Sequence, residues 1–411
     1  MTSLAPPLAL GLAGLLLTTP ALAAGLNDTG QLTCLDGNNQ WTTACVGSPM
    51  DAGSGRDRSK PRNADGLAGF SYTRVCNNGD TAGTGSCPAK PGYGMGATKW
   101  GCTRDEVTGL LWELKDGTNG QSRRYIYSYY PTLAGYSSSP VDGMRISDYV
   151  AWANKQALCG RTDWRLPSLP EVTGLMRFGG SDPVNAVPHA EVVKGFPDLQ
   201  VANAAQRMIT VALDASVGDD GNPPYANFTP AGWVPNDIGD HANQLGVRLV
   251  AGSLLSPSLR VQGTDGDEVL DRSTGLVWRR CRLGMVWNGS ACLGTPSSVS
   301  WETAMVTAAA QGWRLPNVKE VVSLMINTGP GVRLDSRFFP GLLSDGNYVW
   351  TATHAGESTS WDGGREVLAQ MVGITDGTNY WTHTIGRIWK ADGTETDYAR
   401  GSAQVLLVRD R

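Results

Sequence analysis

Residues 105–112 read Asp-Glu-Val-Thr-Gly-Leu-Leu-Trp, and residues 271–278 read Asp-Arg-Ser-Thr-Gly-Leu-Val-Trp. In each stretch an acidic residue precedes Thr-Gly. That is the chemistry of a tight turn, because Asp can bond nearby backbone amides and Gly supplies a positive φ. The apolar residues ending in Trp then begin a buried strand. Further along, Trp164-Arg165-Leu166-Pro167 is matched by Trp313-Arg314-Leu315-Pro316. Glu171-Val172 and Glu320-Val321 follow, then Leu175-Met176 and Leu324-Met325. Phe196-Pro197-x-Leu199 answers Phe339-Pro340-x-Leu342, and each half closes on a β-branched run, 247–250 and 405–408. Matches in one order along two stretches of this length mark an internal duplication.

The motif predicts local structure directly. Ser168-x-x-Glu171 and Asn317-x-x-Glu320 are capping boxes, each opening a short helix. Ser147 and Ser300 read as N-caps of another helix in each copy, 148–158 and 301–310. Each copy therefore runs strand, helix, Trp-Arg-Leu-Pro, short helix, a long irregular stretch, then strands, which is an α+β domain. The chain divides into residues 1–23, a Cys-rich N-terminal segment 24–98, copy one at 99–252 and copy two at 264–411.

Residues 8–17 form a short apolar core, and Ala21-Leu22-Ala23 places small residues for cleavage after Ala23. This is a secretory signal pattern, although no Lys or Arg precedes the apolar core. All eight Cys follow it. Three pairs share the spacing C-x10-C: Cys34/Cys45, Cys76/Cys87 and Cys281/Cys292. Local pairing is the economical choice, leaving Cys102 with Cys159. The four His are scattered, and no Cys or His spacing suits zinc. Gly (52) and Pro (23) are abundant and charged residues are 18%, against a usual ~25%, which marks a loop-rich globular chain. The net charge of −4 argues against nucleic acid, which needs a concentrated basic surface. No apolar run reaches the ~18 residues of a membrane span.

At Thr-Gly-Leu-x-Trp followed by Trp-Arg-Leu-Pro-x-x-x-Glu, both copies resemble the Lcl C-terminal domain family, named for the adhesive end of a bacterial collagen-like protein. Copy two matches best, with Asp335-x-x-Phe338-Phe339-Pro340 and Tyr348-Val349-Trp350-Thr351-Ala352-Thr353. Copy one departs around 208–213, where the Trp is missing. The Arg-Leu-Pro helix is also similar to the core of C-type-lectin-like domains. The resemblance implies two tandem C-type-lectin-like domains with small twisted antiparallel sheets, short helices and long loops, stapled by disulfides. It implies adhesion to glycans and surfaces. No collagen-like run accompanies it here.

Arg165 and Arg314 hold strict places in the motif and read as scaffold residues, pairing with nearby carboxylates or carbonyls behind the Leu-Pro turn. Copy one is longer than copy two after its first motif, and the extra residues include Arg123-Arg124-Tyr125-Ile126-Tyr127-Ser128-Tyr129-Tyr130. Rigid, amphipathic tyrosines at that density suit a binding surface; an edge strand is the even alternative. Loops at 221–240 and 361–386 read as displayed. With Tyr125, Tyr127 and Tyr129, the candidate ligand-binding residues are Trp233, Tyr380 and Trp381, since sugar rings stack on exposed aromatics. No cofactor is expected; Ca2+ at Asp265, Asp267 and Asp271 is the weak metal reading. No catalytic motif occurs.

The expectation is a secreted, periplasmic or surface-exposed bacterial binding protein without chemistry, whose partner is an extracellular glycan or surface protein. A component of a pilus or other envelope assembly, meeting sister subunits, is the second reading. A polysaccharide hydrolase using Asp237 and Asp240 is the third.

Overall fold

The computed structural model describes residues 25–55, 58, 69–115, 146–178, 195–197, 206–209, 225–229, 232–235, 248–327, 332–341, 348–359, 365–374, 384–389, 395–396 and 403–411. At the repeated stretch, the Asp105 amide donates to the Leu110 carbonyl and the Gly109 amide to the Asp105 carbonyl, both at 2.8 Å. The Asp271 amide meets the Leu276 carbonyl at 2.9 Å, and the Gly275 amide the Asp271 carbonyl at 2.8 Å. Gly109 (φ +74°) and Gly275 (φ +80°) take the left-handed backbone this closure requires. Each Asp carboxylate turns back onto its own turn: Asp105 Oδ1 accepts from the Val107 amide, and Asp271 Oδ1 from the Ser273 amide, at 2.9 Å.

The turns connect equivalent strands. The first sheet contains β1 (Tyr72–Cys76), β2 (Trp100–Asp105), β3 (Leu111–Glu113), β4 (Trp164–Arg165) and β5 (Val250–Ala251), in the order β1-β2-β3-β5-β4. The second contains β6 (Leu259–Gln262), β7 (Glu268–Asp271), β8 (Val277–Arg279) and β9 (Val408–Arg409), in chain order, with Arg314 bridging to Val408 as β4 does to β5. The β-branched runs at the end of each half therefore supply the strand that pairs with the Trp strand. The pairs Val250–Trp112 and Val408–Trp278 sit in the same register. Every ladder is antiparallel. Strand β1 lies before residue 99, so the first sheet draws on the N-terminal segment.

Helices α1 (Ile146–Lys155), α2 (Leu169–Leu175), α3 (Trp301–Ala310) and α4 (Val318–Ser323) complete the two halves. Helices α2 and α4 begin as the capping boxes predict: Glu171 Oε2 accepts from the Ser168 amide at 2.7 Å and Glu320 Oε2 from the Asn317 amide at 2.8 Å. Ser300 caps α3, accepting from the Thr303 amide at 3.3 Å. Ser147 does not cap α1; it lies inside the helix, which ends at Lys155 and not at 158. The backbone there turns through left-handed Ala157 (φ +47°) and Cys159 (φ +48°), and the Cys159 side chain is bridged to Cys102. The remaining bridges are Cys34–Cys45, Cys76–Cys87 and Cys281–Cys292, the pairs that local spacing suggests.

One contiguous core serves both halves. It holds Trp112 with Trp278, Val172 with Val321, Leu175 with Leu324, Met176 with Met325, Phe196 with Phe339, and Val250 with Val408. Each pair is one motif position contributed twice, and α2 packs on α4. Residues 27–31 form a buried strap between the halves. Asn27 donates to Asp105 in the first half, and Arg177 Nε to the Gly30 carbonyl at 2.9 Å. In the second half, Asn317 Nδ2 donates to Asp28 Oδ1 at 2.6 Å, and the His354 amide to Gln31 Oε1 at 3.2 Å. Lys319 Nζ meets the Asp28 carbonyl and, at 2.9 Å, the Gly174 carbonyl.

Two stretches expected as loops contain strands. Tyr225–Thr229 pairs with Gly232–Pro235 and with Gln206–Ile209. Arg365–Gly373 pairs with Tyr348–Thr359 and Thr384–Trp389. Their β-branched and aromatic content favours extended pairing over an irregular course.

Candidate functional site

Immediately after the repeated Trp the two halves part company. The first continues Glu113-Leu114-Lys115, the second Arg279-Arg280-Cys281. Glu113 and Lys115 are buried with Tyr149 of α1 and Arg248, which precedes β5. Lys115 Nζ lies 2.8 Å from Glu113 Oε1 and 2.9 Å from the Tyr149 hydroxyl. The Tyr149 hydroxyl donates to Glu113 Oε1, and the Leu249 amide reaches Glu113 Oε2 at 2.9 Å. Arg248 donates to the Glu113 carbonyl and lies 5.4 Å from the centre of the Phe196 ring. Charges this deep persist only when paired and hydrogen-bonded, and here the Glu113 carboxylate pairs with Lys115 while its backbone carbonyl accepts from Arg248.

The position of this cluster matters more than its chemistry. Lys115 is the last described residue before 116–145, and Tyr149 lies in the helix that resumes the chain afterwards. Arg248 is the first described residue after 236–247, and Phe196 stands between 179–194 and 198–205. Residues far apart in the chain thus meet at one buried network. The network contains no nucleophile paired with a base and orienting acid.

Arg165 and Arg314 are ion-paired scaffold. Arg165 forks onto Glu171 at 2.8 and 2.7 Å, and Arg314 onto Glu320 at 2.7 and 2.7 Å. Burial alone would lower the Arg314 pKa, but the Glu320 and Asp410 carboxylates raise it well above the usual arginine value. The same glutamates close the capping boxes, so each fork ties Trp-Arg-Leu-Pro to the following helix.

Of the metal candidates, Asp271 is committed elsewhere. Its carboxylate accepts from the Ser258 and Ser273 amides at 2.9 Å and from Thr274 Oγ1 at 2.8 Å. Asp265 is exposed, and its carbonyl accepts from Trp287 Nε1 at 2.8 Å; the Asp267 carbonyl accepts from the Arg280 amide at 3.0 Å. The three are not gathered onto one point, because Asp271 faces its own turn. Among the described residues no group of three His, Cys, Asp or Glu is placed to hold a metal ion.

Trp233 lies in the strand Gly232–Pro235, opposite Phe228. Tyr125, Tyr127, Tyr129, Tyr380 and Trp381, with Asp237 and Asp240, lie outside the described residues. The Glu113 cluster was missed at the sequence level. Its signal was a Glu and a Lys two residues apart after a buried strand Trp, where the other half carries two arginines.

Residues 267–405 match the Lcl C-terminal domain family. That stretch includes the second Thr-Gly-Leu-Val-Trp motif, on which the resemblance rests. No curated protein and no solved structure matches the chain. Among the described residues no helix is long and apolar enough to cross a membrane. Four closed disulfides accord with an oxidising compartment.

Proposed function

We propose that the protein is a secreted bacterial surface or envelope binding protein. On this reading the first half is a diverged second copy of the Lcl domain, both copies are C-type-lectin-like, and the chain performs no chemistry. The ligand is an extracellular glycan or surface protein, taken up on the aromatic-rich segments of the first half and on the segment holding Tyr380 and Trp381. The observation that carries it is the Glu113–Lys115–Tyr149–Arg248 network. It places four buried polar side chains together, two of them flanking the stretch between Trp112 and Trp164 that is longer than its counterpart in the second half. Rigid elements that tether variable loops are how binding surfaces are built on a fixed scaffold.

A glycan array on the oxidised protein, run with calcium and again with EDTA, tests this. Binding that weakens at least about tenfold in Trp233→Ala or Trp381→Ala is expected. Binding abolished by EDTA would return calcium to the Asp265–Asp267 segment. Turnover of a bound glycan would overturn the non-catalytic reading. The assembly-component reading draws on one feature: Val286 (68% exposed) and Leu293 (54% exposed) pair across the hairpin stapled by Cys281–Cys292. An empty array together with co-purification on a filament would favour it.

A further inference from the structure

The two halves meet through the same surface of each. Lys319 at the start of α4 reaches Gly174 near the end of α2. The reciprocal pair, Pro170 at the start of α2 and Ser323 at the end of α4, lines a single groove. Equivalent residues of both halves share the core. This is the reciprocity of a two-fold interface, here within one chain. A two-fold arrangement makes every site at the junction occur twice.

One such site is the slot that holds residues 27–31. Its walls are the Asp105 turn, Asn317 and Lys319 at the start of α4, Gly174, and Phe70, over whose ring Lys319 Nζ sits at 4.3 Å. Among the described residues the equivalent place beside the other turn is open. It is a groove of about 350 Å³ lined by the Asp271 turn (271–274), Pro170, Ser323, the connecting segment 254–258, and Gly25 with Leu26. The two sites correspond in detail. The Glu106 amide bonds the Ser71 carbonyl and the Arg272 amide the Ser258 carbonyl, both at 2.9 Å. Hence Pro257 stands where the slot has Phe70, and Pro170 where it has Lys319. Two compact prolines replace two long side chains, which leaves the second site roomier.

We propose that this groove is a binding site for an extended peptide of a partner protein carrying a side-chain amide or hydroxyl. The peptide lies there as residues 27–31 lie in the twin slot. Three observations favour a peptide. The twin site is filled by one, through side-chain contacts to the motif Asp. The groove is continuous with that occupied slot through Gly25 and Leu26, which line the groove just before Asn27 enters the slot. Its volume falls in the range of formed ligand clefts. Its lining is mixed: Leu26, Leu254 and Leu255 are apolar, while Ser256, Ser273 and Thr274 offer hydroxyls. In the slot, Asn27 donates to Asp105 Oδ2, whereas the matching Asp271 Oδ2 accepts from Thr274 Oγ1. Asp271 is itself buried, so the polar partners left for a peptide amide or hydroxyl are Ser256, Ser273 and Thr274 at the groove surface.

The test uses the intact, oxidised protein and the acetylated, amidated hexapeptide Leu-Asn-Asp-Thr-Gly-Gln, the sequence of residues 26–31, as probe. Nuclear magnetic resonance titration should show saturable shifts at Ser256, Ser273 and Thr274, with about tenfold preference over a scrambled peptide. Ser273→Trp, which fills the groove, should weaken binding at least about tenfold while circular dichroism shows an intact fold. The wild-type shift map decides the matter even if that variant does not fold. Absence of saturation at millimolar peptide would overturn the proposal. So would shifts at Asp105 and Asn317 instead, because the peptide would then be competing for the occupied slot. The result is independent of the glycan array, which reports on the loop segments.

Discussion

At Asp51 the carboxyl sits among the strap, its own short turn and the strand Tyr348–Thr359. Burial, reinforced by the nearby Asp28 and Glu320 carboxylates, raises its pKa from 3.8 to about 7, although Thr29 and Thr353 hydroxyls donate to it at 2.6 and 2.9 Å. The folded state thus binds this proton more tightly than the unfolded chain. Its contribution to stability is complete below pH 3.8 and is lost as pH rises through about 7. Denaturant midpoints between pH 4 and 8 should fall with pH, and Asp51→Asn should flatten that slope. The arginine forks set a second expectation. Glu171→Gln leaves the mostly buried Arg165 guanidinium without the carboxylate it forks onto and should cost about 3 kcal/mol in urea unfolding, more than Glu320→Gln, where Asp410 still pairs with Arg314. Gly30 has φ +81°, and an added Cβ would meet Arg177 Cγ at 2.6 Å. Gly30→Ala should therefore destabilise by more than about 1 kcal/mol, read as a lower melting temperature.

At the scale of elements, the hairpin Val286–Trp287 with Cys292–Leu293 depends on its staple. Replacing Cys281 and Cys292 with Ser should remove about 3 kcal/mol by the chain-entropy argument, measured by urea denaturation of the oxidised protein. The turn, the capping-box helices, the central strands and the cysteine pairs were legible in the sequence because each rests on local chemistry. Asp-x-x-Thr-Gly bonds to itself, Ser168 and Asn317 lie three residues from their glutamates, and three cysteine pairs share one spacing. What was not legible depends on long-range packing. Nothing near Asn27 announces that it meets Asp105, and nothing near Lys319 announces Gly174. The Glu113 network joins residues far apart in the chain, and no periodicity encodes that. Helix α1 was overrun for the same reason, since Cys102 lies in a distant strand.

For the whole molecule, a shared core means that the halves should not melt separately. Tryptophan fluorescence and far-ultraviolet circular dichroism should report one coincident transition. Two resolved transitions would contradict the joint packing of Trp112 and Trp278. The strap adds to this coupling, because its side chains are satisfied only when both halves are in place.

The pairing of Lys319 with Gly174, opposite Pro170 and Ser323, also bears on how such a gene can change. The halves are alike in plan, yet each carries a face cut to fit the other. A crossover within residues 253–258 would join a new half to an old one and oppose two faces that had never been selected together. Recombination, which shuffles freely the modules of beaded multidomain proteins, has no such freedom here, and the two halves are bound to be inherited as a pair.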